Sequence, residues 1–342
     1  MTDRVRVVLV GCGGMSRHWT EVSKAHEQLD LVGFVDMDES AARARAADYG
    51  DDSAVVGTEL TQVLDDVSPD AVFDCTVPEA HTQITVTALE RGCHVLGEKP
   101  LADSMANARR SVAAATAAGR IYAVIQNRRY DTNIRRLTRS LRSGVIGPLT
   151  TLNSDFYIGA HFGGFRDHMP HVLLLDMAIH TFDAARLLLD ADPVAVYCRE
   201  WNPAGSWYDH DASAVAVFEM TSGVVYTYRG SWCAEGRNTT WEADWRVIGQ
   251  NGSVTWDGAE EFRAETVAAS GDFRSAMQEL TLEPPHDADH IGAHEGIIRE
   301  FIDCVQHGGT PETVCTDNIK SLAMVFGAIE SAESGRRVEI EV

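Results

Sequence analysis

Apolar and polar positions alternate along the first third of the chain in blocks that predict strands and helices in turn. The opening segment is a run of valines and a leucine broken only by Arg6, which is typical of a strand buried on both faces of a parallel sheet. Five more strands are predicted at Leu31–Asp36, Ala54–Val56, Ala71–Cys75, His94–Gly97 and Ile121–Ile125. Helices are predicted between them at Met15–His26, Glu39–Tyr49, Glu59–Asp66, Glu79–Arg91 and Ser104–Ala118. This order predicts an α/β fold with a doubly wound parallel sheet.

The pattern changes near Thr132, where a second α/β domain is predicted. Its helices are Thr132–Arg142, the apolar stretch 172–189, His290–Gln306 and Asp317–Ser334. Its strands are Thr150–Ile158, Val194–Arg199, Ala212–Glu219, Val224–Trp232, Trp241–Ile248, Ser253–Asp257, Glu261–Glu265 and Val338–Val342, with loops at Gly159–Pro170 and Ser270–Asp289. Hairpin signals at Thr221–Gly223 and Gln250–Gly252 favour a large, mainly antiparallel, open sheet. We therefore divide the chain into domains 1–126 and 127–342, with the C-terminal helices able to pack back on the first domain.

One face of the second sheet is expected to pack on helices. The other face is expected to carry the aromatic residues Tyr226, Tyr228, Trp232, Trp241 and Trp245. An exposed aromatic face of this size favours a partner subunit, although core positions would account for some of these rings.

A glycine-rich turn follows the first strand. Gly11, Gly13 and Gly14 stand in the spacing G-x-G-x-x-S, with Met15 beginning the predicted helix and Ser16 in place of the usual third Gly or Ala. Glycine permits a tight turn and a close approach of the backbone to a ligand. Backbone N–H groups and the positive end of the helix dipole then form a cradle for a pyrophosphate.

The second strand ends in an acidic residue, Asp36, followed by Met37. A carboxylate at this position accepts hydrogen bonds from the adenosine ribose and repels a 2′-phosphate. No arginine comes directly after the acid. The sequence therefore predicts NAD as the cofactor, with NADP less favoured.

The loops after the fourth and fifth strands open on the same edge of the sheet. Thr76, Pro78 and His81 are predicted to lie along the phosphates or the nicotinamide ribose, and a surface position at the helix start is the alternative for His81. Glu98 and Lys99 follow the fifth strand and are also predicted to contact the cofactor. Lysine donates hydrogen bonds and loses its proton when its pKa is lowered, which arginine does not do.

The apolar helix 172–189 carries Asp176 and His180 one turn apart. A carboxylate beside an imidazole can fix its tautomer and raise its basicity. A surface ion pair or a buried, hydrogen-bonded histidine is the alternative. With His161, His168 and His171 nearby, the ligand types would suit zinc, but the spacings match no standard zinc motif. We predict no metal and expect these histidines to face substrate hydroxyls.

Composition narrows the class of partner. The 342-residue chain has a net charge of −22, which argues against nucleic acid and anionic membranes as partners. Its seven cysteines form no C-x-x-C pair, so we expect reduced thiols. The N-terminus shows no signal-peptide pattern and no run is long enough for a membrane span. A cytoplasmic protein is expected, and the sequence leaves open whether its acidity reflects a salty cytoplasm.

Four motifs together resemble the glucose–fructose oxidoreductase / inositol dehydrogenase (Gfo/Idh/MocA) family. They are GCGGMS, Asp36, the GEKPL of Gly97–Leu101 and the D-x-x-x-H of Asp176–His180, and the ending TDNIKSLAMVFGAIESAESGRRVEI is also similar. The resemblance implies an N-terminal Rossmann domain, a C-terminal α/β domain whose open sheet forms a homodimer or homotetramer interface, and Lys99, Asp176 and His180 at the reacting carbon. The chain departs from the family pattern at Met169–Val172, where relatives often have glycines.

We therefore expect an NAD-dependent dehydrogenase of the EC 1.1.1 type that oxidises a secondary alcohol of a monosaccharide, polyol or cyclitol. His180, oriented by Asp176, would remove the hydroxyl proton while Lys99 donates a hydrogen bond to the same oxygen, or the two would exchange these roles. Contacts with other hydroxyls are predicted for Arg166, His161, Tyr157 and Arg128. An NAD-dependent glycosidase that oxidises its sugar transiently and a non-catalytic sensor are the alternatives.

Overall fold

The computed structural model describes residues 4–50, 53–221, 223–271, 273–284 and 290–342. These residues form two compact units. The first contains the described residues up to Asn127 together with Gly292–Ile319, and the second contains those of Arg128–Ile291 together with Lys320–Val342. Residues 292–319 thus belong to the first unit. The division into domains 1–126 and 127–342, with C-terminal helices able to pack back on the first domain, stays a prediction. Position 222 of one predicted hairpin and positions 272 and 285–289 of the predicted loop lie outside the described residues.

The first unit is built on a six-stranded parallel sheet in the order β3-β2-β1-β4-β5-β6. Its strands are β1 (Val5–Val10), β2 (Leu29–Val35), β3 (Val55–Gly57), β4 (Ala71–Asp74), β5 (His94–Gly97) and β6 (Tyr122–Val124). The intervening helices are α1 (Ser16–Ala25), α2 (Glu39–Tyr49), α3 (Leu60–Val67), α4 (Pro78–Glu90) and α5 (Met105–Ala118). Strands are added outward on one side of β1 as far as β3 and then on its other side from β4 onward. Folds of this kind bind ligands at the point between β1 and β4 where the strand order reverses.

The apolar pattern explains the position of β1 at the centre of this sheet. Every residue of β1 is buried except Arg6, whose N–H donates to the Asp70 carboxylate at 2.8 Å. Trp19 of α1 is fully buried and packs edge-on against Phe73 of β4 at 5.1 Å. The doubly wound sheet predicted from the sequence is thus confirmed.

The second unit is built on a nine-stranded sheet in the order β14-β13-β12-β11-β7-β10-β9-β8-β15. Its strands are β7 (Leu149–Tyr157), β8 (Pro193–Trp201), β9 (Ser213–Met220), β10 (Val225–Ser231), β11 (Asp244–Gly249), β12 (Gly252–Trp256), β13 (Phe262–Ala269), β14 (Ala276–Leu280) and β15 (Val338–Glu339). Among these neighbours only β7 and β10 run parallel, which confirms a large, mainly antiparallel sheet. The loop predicted across Ser270–Asp289 is wrong for Ala276–Leu280, because this mostly exposed segment has no apolar alternation and is held as a strand by pairing with β13.

The helices of the remaining chain are α6 (Thr132–Arg142), α7 (Ile179–Leu189), α8 (Ala293–His307) and α9 (Cys315–Ser334). A π-helical segment, Leu173–Ala178, runs directly into α7, so the predicted helix 172–189 has two geometries. A short 3₁₀ turn, Gly164–His168, interrupts the predicted loop before it. Wider π turns are frequent at functional sites, and this one carries Asp176.

The aromatic face predicted for a partner subunit is wrong for four of its five residues. Tyr226, Tyr228, Trp232 and Trp245 are at most 3% exposed, and only Trp241 is half exposed. Tyr226 and Tyr228 pack with Phe182 of α7 at ring distances of 6.2 and 5.2 Å. Side chains along a strand alternate between faces, and the cross-strand register places these rings on the helix-covered face. The open face instead carries Val194, Tyr197, Trp201, Val217 and Val225, each 38–50% exposed.

Candidate functional site

The glycine turn after β1 has two different sides. Gly11 has φ +85°, and a Cβ there would lie 2.7 Å from backbone atoms of Cys75 and Thr76. A side chain at Gly11 would therefore push the loop away from the β4–α4 connection. A Cβ on Gly13 or Gly14 would meet no atom within 4 Å. These two glycines form the open side of the turn, where a ligand can approach the backbone.

Asp36 lies at the carboxyl end of β2 with both carboxylate oxygens held by the backbone. The N–H of Cys12 donates to one oxygen at 2.7 Å, and the N–H of Asp38 donates to the other at 2.9 Å. Met37 is 96% exposed, and Met15 in the turn before α1 is 51% exposed. The turn and the acid are thus linked directly by a hydrogen bond.

A fully buried carboxylate, Asp74, organises the loop after β4. Its Oδ1 accepts hydrogen bonds from the N–H of Thr76 at 3.0 Å and from its hydroxyl at 2.6 Å. Its Oδ2 lies 2.9 Å from Nδ1 of His81, and Pro78 begins α4 between them. Asp74 is not among the residues predicted from the sequence, although an acid at the end of a buried strand was a signal for it.

His81 is 1% exposed, so the surface alternative for this residue is wrong. Burial opposes its protonation, but the charge of Asp74 and the hydrogen bond outweigh that cost, and the pKa of His81 lies above its usual value. A raised pKa favours an imidazolium–carboxylate pair. The expected contact of His81 with the cofactor stays a prediction.

The segment after β5 carries the predicted acid and lysine. Glu98 is buried and accepts hydrogen bonds from Nε1 of Trp19 at 2.8 Å and from the N–H of Lys99 at 3.2 Å. Burial raises the pKa of Glu98. The Lys99–Pro100 peptide bond is cis. Glu98 is therefore anchored into the core, whereas the side chain of Lys99 is only half-buried.

Asp176 in the second unit is bound by Arg166, a residue predicted from the sequence to contact substrate. Nε of Arg166 donates to Oδ2 of Asp176 at 2.8 Å, and Nη2 donates to Oδ1 at 3.3 Å. The Arg166 guanidinium also lies over the rings of Phe162 and Phe165 at 4.9 and 4.7 Å. The structure thus brings Asp176 and Arg166 together, and orientation of His180 by Asp176 stays a prediction.

His161 and Tyr157, also predicted to contact substrate, lie in the second unit. His161 stacks on Trp207 at 3.7 Å, and its Nε2 lies 2.8 Å from Oε1 of Glu235. Tyr157 is half-buried at the end of β7, and burial raises its pKa. His161 and Tyr157 are accessible to a ligand in this unit.

Arg128 is buried instead of exposed. Its Nε lies 3.4 Å from Oε2 of Glu242, and its Nη2 contacts the sulfur of Met177 at 3.5 Å. Burial lowers the pKa of Arg128 and raises that of Glu242. Protein groups thus already occupy the guanidinium of Arg128. Its predicted contact with substrate stays a prediction.

The histidines weighed as metal ligands pair separately with acids. His168 lies 2.5 Å from Asp209, and His171 lies 2.6 Å from Glu200. Within the described ranges, no group of three or more His, Cys, Asp or Glu side chains is placed to hold a metal ion. None of the helices described in the structure is long and apolar enough to cross a membrane.

A six-stranded doubly wound sheet, with a glycine turn after its first strand and an acid at the end of its second, defines the class of dinucleotide-binding Rossmann folds. Residues 5–126 match the model of the oxidoreductase family with an NAD-binding Rossmann fold, and residues 134–255 match the C-terminal domain of the same family. The chain belongs to the Gfo/Idh/MocA family of NAD-binding oxidoreductases. The resemblance drawn from the sequence motifs is confirmed.

Similar proteins span nearly the whole chain. Myo-inositol 2-dehydrogenase of Thermotoga maritima is 25% identical over 355 residues, covering 98% of this chain and 99% of that protein. D-apiose dehydrogenase of Paraburkholderia graminis is 27% identical, with coverages of 99% and 90%. An oxidoreductase from Agrobacterium radiobacter, solved with NAD⁺, L-tartaric acid and magnesium, has a TM-score of 0.84 at 21% identity and 98% coverage of both chains. This last likeness concerns the fold alone.

Proposed function

We propose that this protein is an NAD-dependent dehydrogenase that oxidises a secondary alcohol of a monosaccharide, polyol or cyclitol. The observation that carries the proposal is full-length similarity to relatives named for a sugar, D-apiose, and a cyclitol, myo-inositol. The presence of Lys99, Asp176 and His180 in the same chain supports catalysis over mere binding, because binding does not require an acid–base set.

The choice of NAD over NADP is supported by Asp36. Two backbone N–H groups hold its carboxylate in place, and the remaining lone pairs can accept hydrogen bonds from the two ribose hydroxyls. A 2′-phosphate at the same place would meet this negative charge directly. Gly11, Gly13 and Gly14 would hold the pyrophosphate, and NAD would supply the hydride acceptor.

The proton chemistry is proposed for side chains of the chain itself. His180 accepts the proton of the substrate hydroxyl, while Lys99 donates a hydrogen bond to that oxygen as negative charge develops on it. The exchange of these two roles is the other form of the proposal. Asp176 lies four residues before His180, and Arg166 holds its carboxylate in place. Tyr157, His161 and Arg166 are proposed to contact the other hydroxyls of the substrate. Arg128, also predicted from the sequence, remains a fourth candidate for such a contact.

The deciding experiment measures NADH formation by its absorbance across a panel of monosaccharides, polyols and inositols, with NAD and NADP in parallel. We expect a substrate-dependent rise with NAD, and slower or no reduction of NADP. The His180→Ala variant, assayed on the same panel, controls for contaminating dehydrogenases. Flat traces from protein that binds NAD tightly would overturn the dehydrogenase proposal and direct the next assay to aglycone release.

Assembly through the open face of the nine-stranded sheet is also proposed. Tyr197 and Val217 lie opposite each other in the β8–β9 register, with Trp201 and Val225 on the same face. We expect wild-type protein to be a dimer or tetramer by light scattering. Val217→Arg with Trp201→Arg should give a monomer, because unpaired like charges would be buried in an apolar contact.

The matched control for assembly is Phe273→Ser, since Phe273 is 91% exposed and lies outside the strands that form this face. This variant should keep the wild-type mass. A monomeric wild-type protein, or an unchanged mass in the double variant, would contradict assembly through this surface.

A further inference from the structure

A buried arginine lies directly beneath the glycine turn. Arg45 of α2 is 5% exposed. Its Nε donates to the hydroxyl of Ser16 at 2.9 Å, and its Nη2 donates to the carbonyl oxygens of Gly13 at 3.1 Å and Cys12 at 3.4 Å. Its Nη1 donates to the carboxylate of Asp48 at 2.8 Å. Four of the five N–H groups of this guanidinium are thus engaged within the first unit.

Ser16 connects this arginine to the turn a second time. It is fully buried, and its hydroxyl donates to the carbonyl oxygen of Gly13 at 2.7 Å while accepting from Arg45. The Gly or Ala usual at this position of the fingerprint has no hydroxyl and could make neither bond. Serine therefore does more here than provide a small side chain for close packing.

The peptide geometry shows what these bonds do to the turn. A trans peptide unit is planar, with its C=O and the following N–H pointing in opposite directions. Holding the carbonyls of Cys12 and Gly13 towards Arg45 therefore turns the N–H groups of Gly13 and Gly14 to the other side. Among the residues that the structure describes, neither N–H donates a hydrogen bond, and both glycines border open space.

We propose that Arg45 and Ser16 are positioning residues that pre-orient the glycine turn for the pyrophosphate of the dinucleotide. The inference rests on the NAD-binding part of the proposed function. Arg45 aligns two N–H donors before the ligand arrives and places a buried positive charge beneath two phosphates. A buried charge of this kind is screened little by salt. Because four of its five N–H donors are already committed within the first unit, Arg45 is poorly placed to bind a 2′-phosphate, which agrees with the preference for NAD.

The test is calorimetric binding of NAD, ADP-ribose and adenosine to the full chain. Arg45→Leu should weaken binding of NAD and ADP-ribose by about 10- to 100-fold, the range set by losing charge-assisted hydrogen bonds. Adenosine has no phosphate and should bind as it does to wild type. Ser16→Ala should weaken the two phosphate ligands by less. Because the residues share a network, the effects in the double variant should fall short of additivity.

Arg43→Leu is the matched control, since Arg43 lies two residues earlier on α2 with an exposed side chain paired to Glu39. It should bind all three ligands as wild type does. An unchanged NAD affinity in folded Arg45→Leu, or an equal loss for adenosine and ADP-ribose, would overturn the inference. If Arg45→Leu does not fold, Ser16→Ala decides alone, and wild-type NAD affinity in it refutes the role. Failure of wild-type protein to bind NAD would instead refute the proposed function.

Discussion

Replacement of Lys99 or His180 by alanine is expected to lower kcat by about 10²- to 10⁴-fold, the usual contribution of a general acid–base or oxyanion-stabilising group. The Kd for NAD should change by less than about threefold, because neither role concerns the affinity of the cofactor. Steady-state turnover on the best substrate of the panel gives kcat, and titration with NAD in the absence of substrate gives Kd.

Two controls separate catalysis from general damage. Lys24→Ala removes an exposed lysine of α1, and His307→Ala removes an exposed histidine that pairs with Asp303. Both should turn over at the wild-type rate. The pH profile assigns the roles, since the acidic limb of kcat should vanish in the variant that lacks the proton acceptor. Wild-type turnover in either Lys99→Ala or His180→Ala would remove that residue from the mechanism.

The parts of the site that the sequence could predict are those fixed by the regular βαβ architecture. Gly11 is required because its positive φ and the backbone of Cys75 leave no space for a Cβ. Asp36 follows a buried strand, and the parallel order of strands brings it to the same sheet edge as the turn. Both features follow from the regular order and handedness of βαβ units, which bring the ends of β1, β2 and β4 to one edge of the sheet.

The parts that the sequence could not predict depend on long-range register and on loop conformation. The orientation of His180 by Asp176 stays a prediction, but the spacing of the two residues gave no sign that the loop before the π-helical segment brings Arg166 onto the same carboxylate. Alternation alone did not say which face of β10 packs on α7, so Tyr226 was assigned to the wrong side. The sequence pattern of α2 does not distinguish Arg45 from an exposed arginine, because its burial depends on contacts with the distant glycine turn.

Asp183→Asn is expected to lower the free energy of unfolding of the second unit by about 3–5 kcal/mol, the cost of breaking a buried ion pair by removing one partner. Asp183 is 1% exposed, and Arg129 donates to it twice, at 2.6 and 2.8 Å. The hydroxyl of Ser321 donates to the same carboxylate at 2.6 Å and accepts from Arg186 at 2.9 Å. The neutral amide would leave the buried guanidinium of Arg129 without its carboxylate.

Urea unfolding monitored by tryptophan fluorescence measures this loss, with two transitions allowed because the chain has two units. Asp190→Asn is the control, since Asp190 is an exposed residue at the end of the same helix, 3.7 Å from Arg142, and a pair of this kind contributes little. Replacing both partners, as in Asp183→Leu with Arg129→Met, should recover much of the stability, because neither side of the pair is then left as a buried charge without the other. A loss below about 1 kcal/mol in Asp183→Asn would contradict this account. It would mean that α7, which carries His180, is held in place by its apolar face and not by this network.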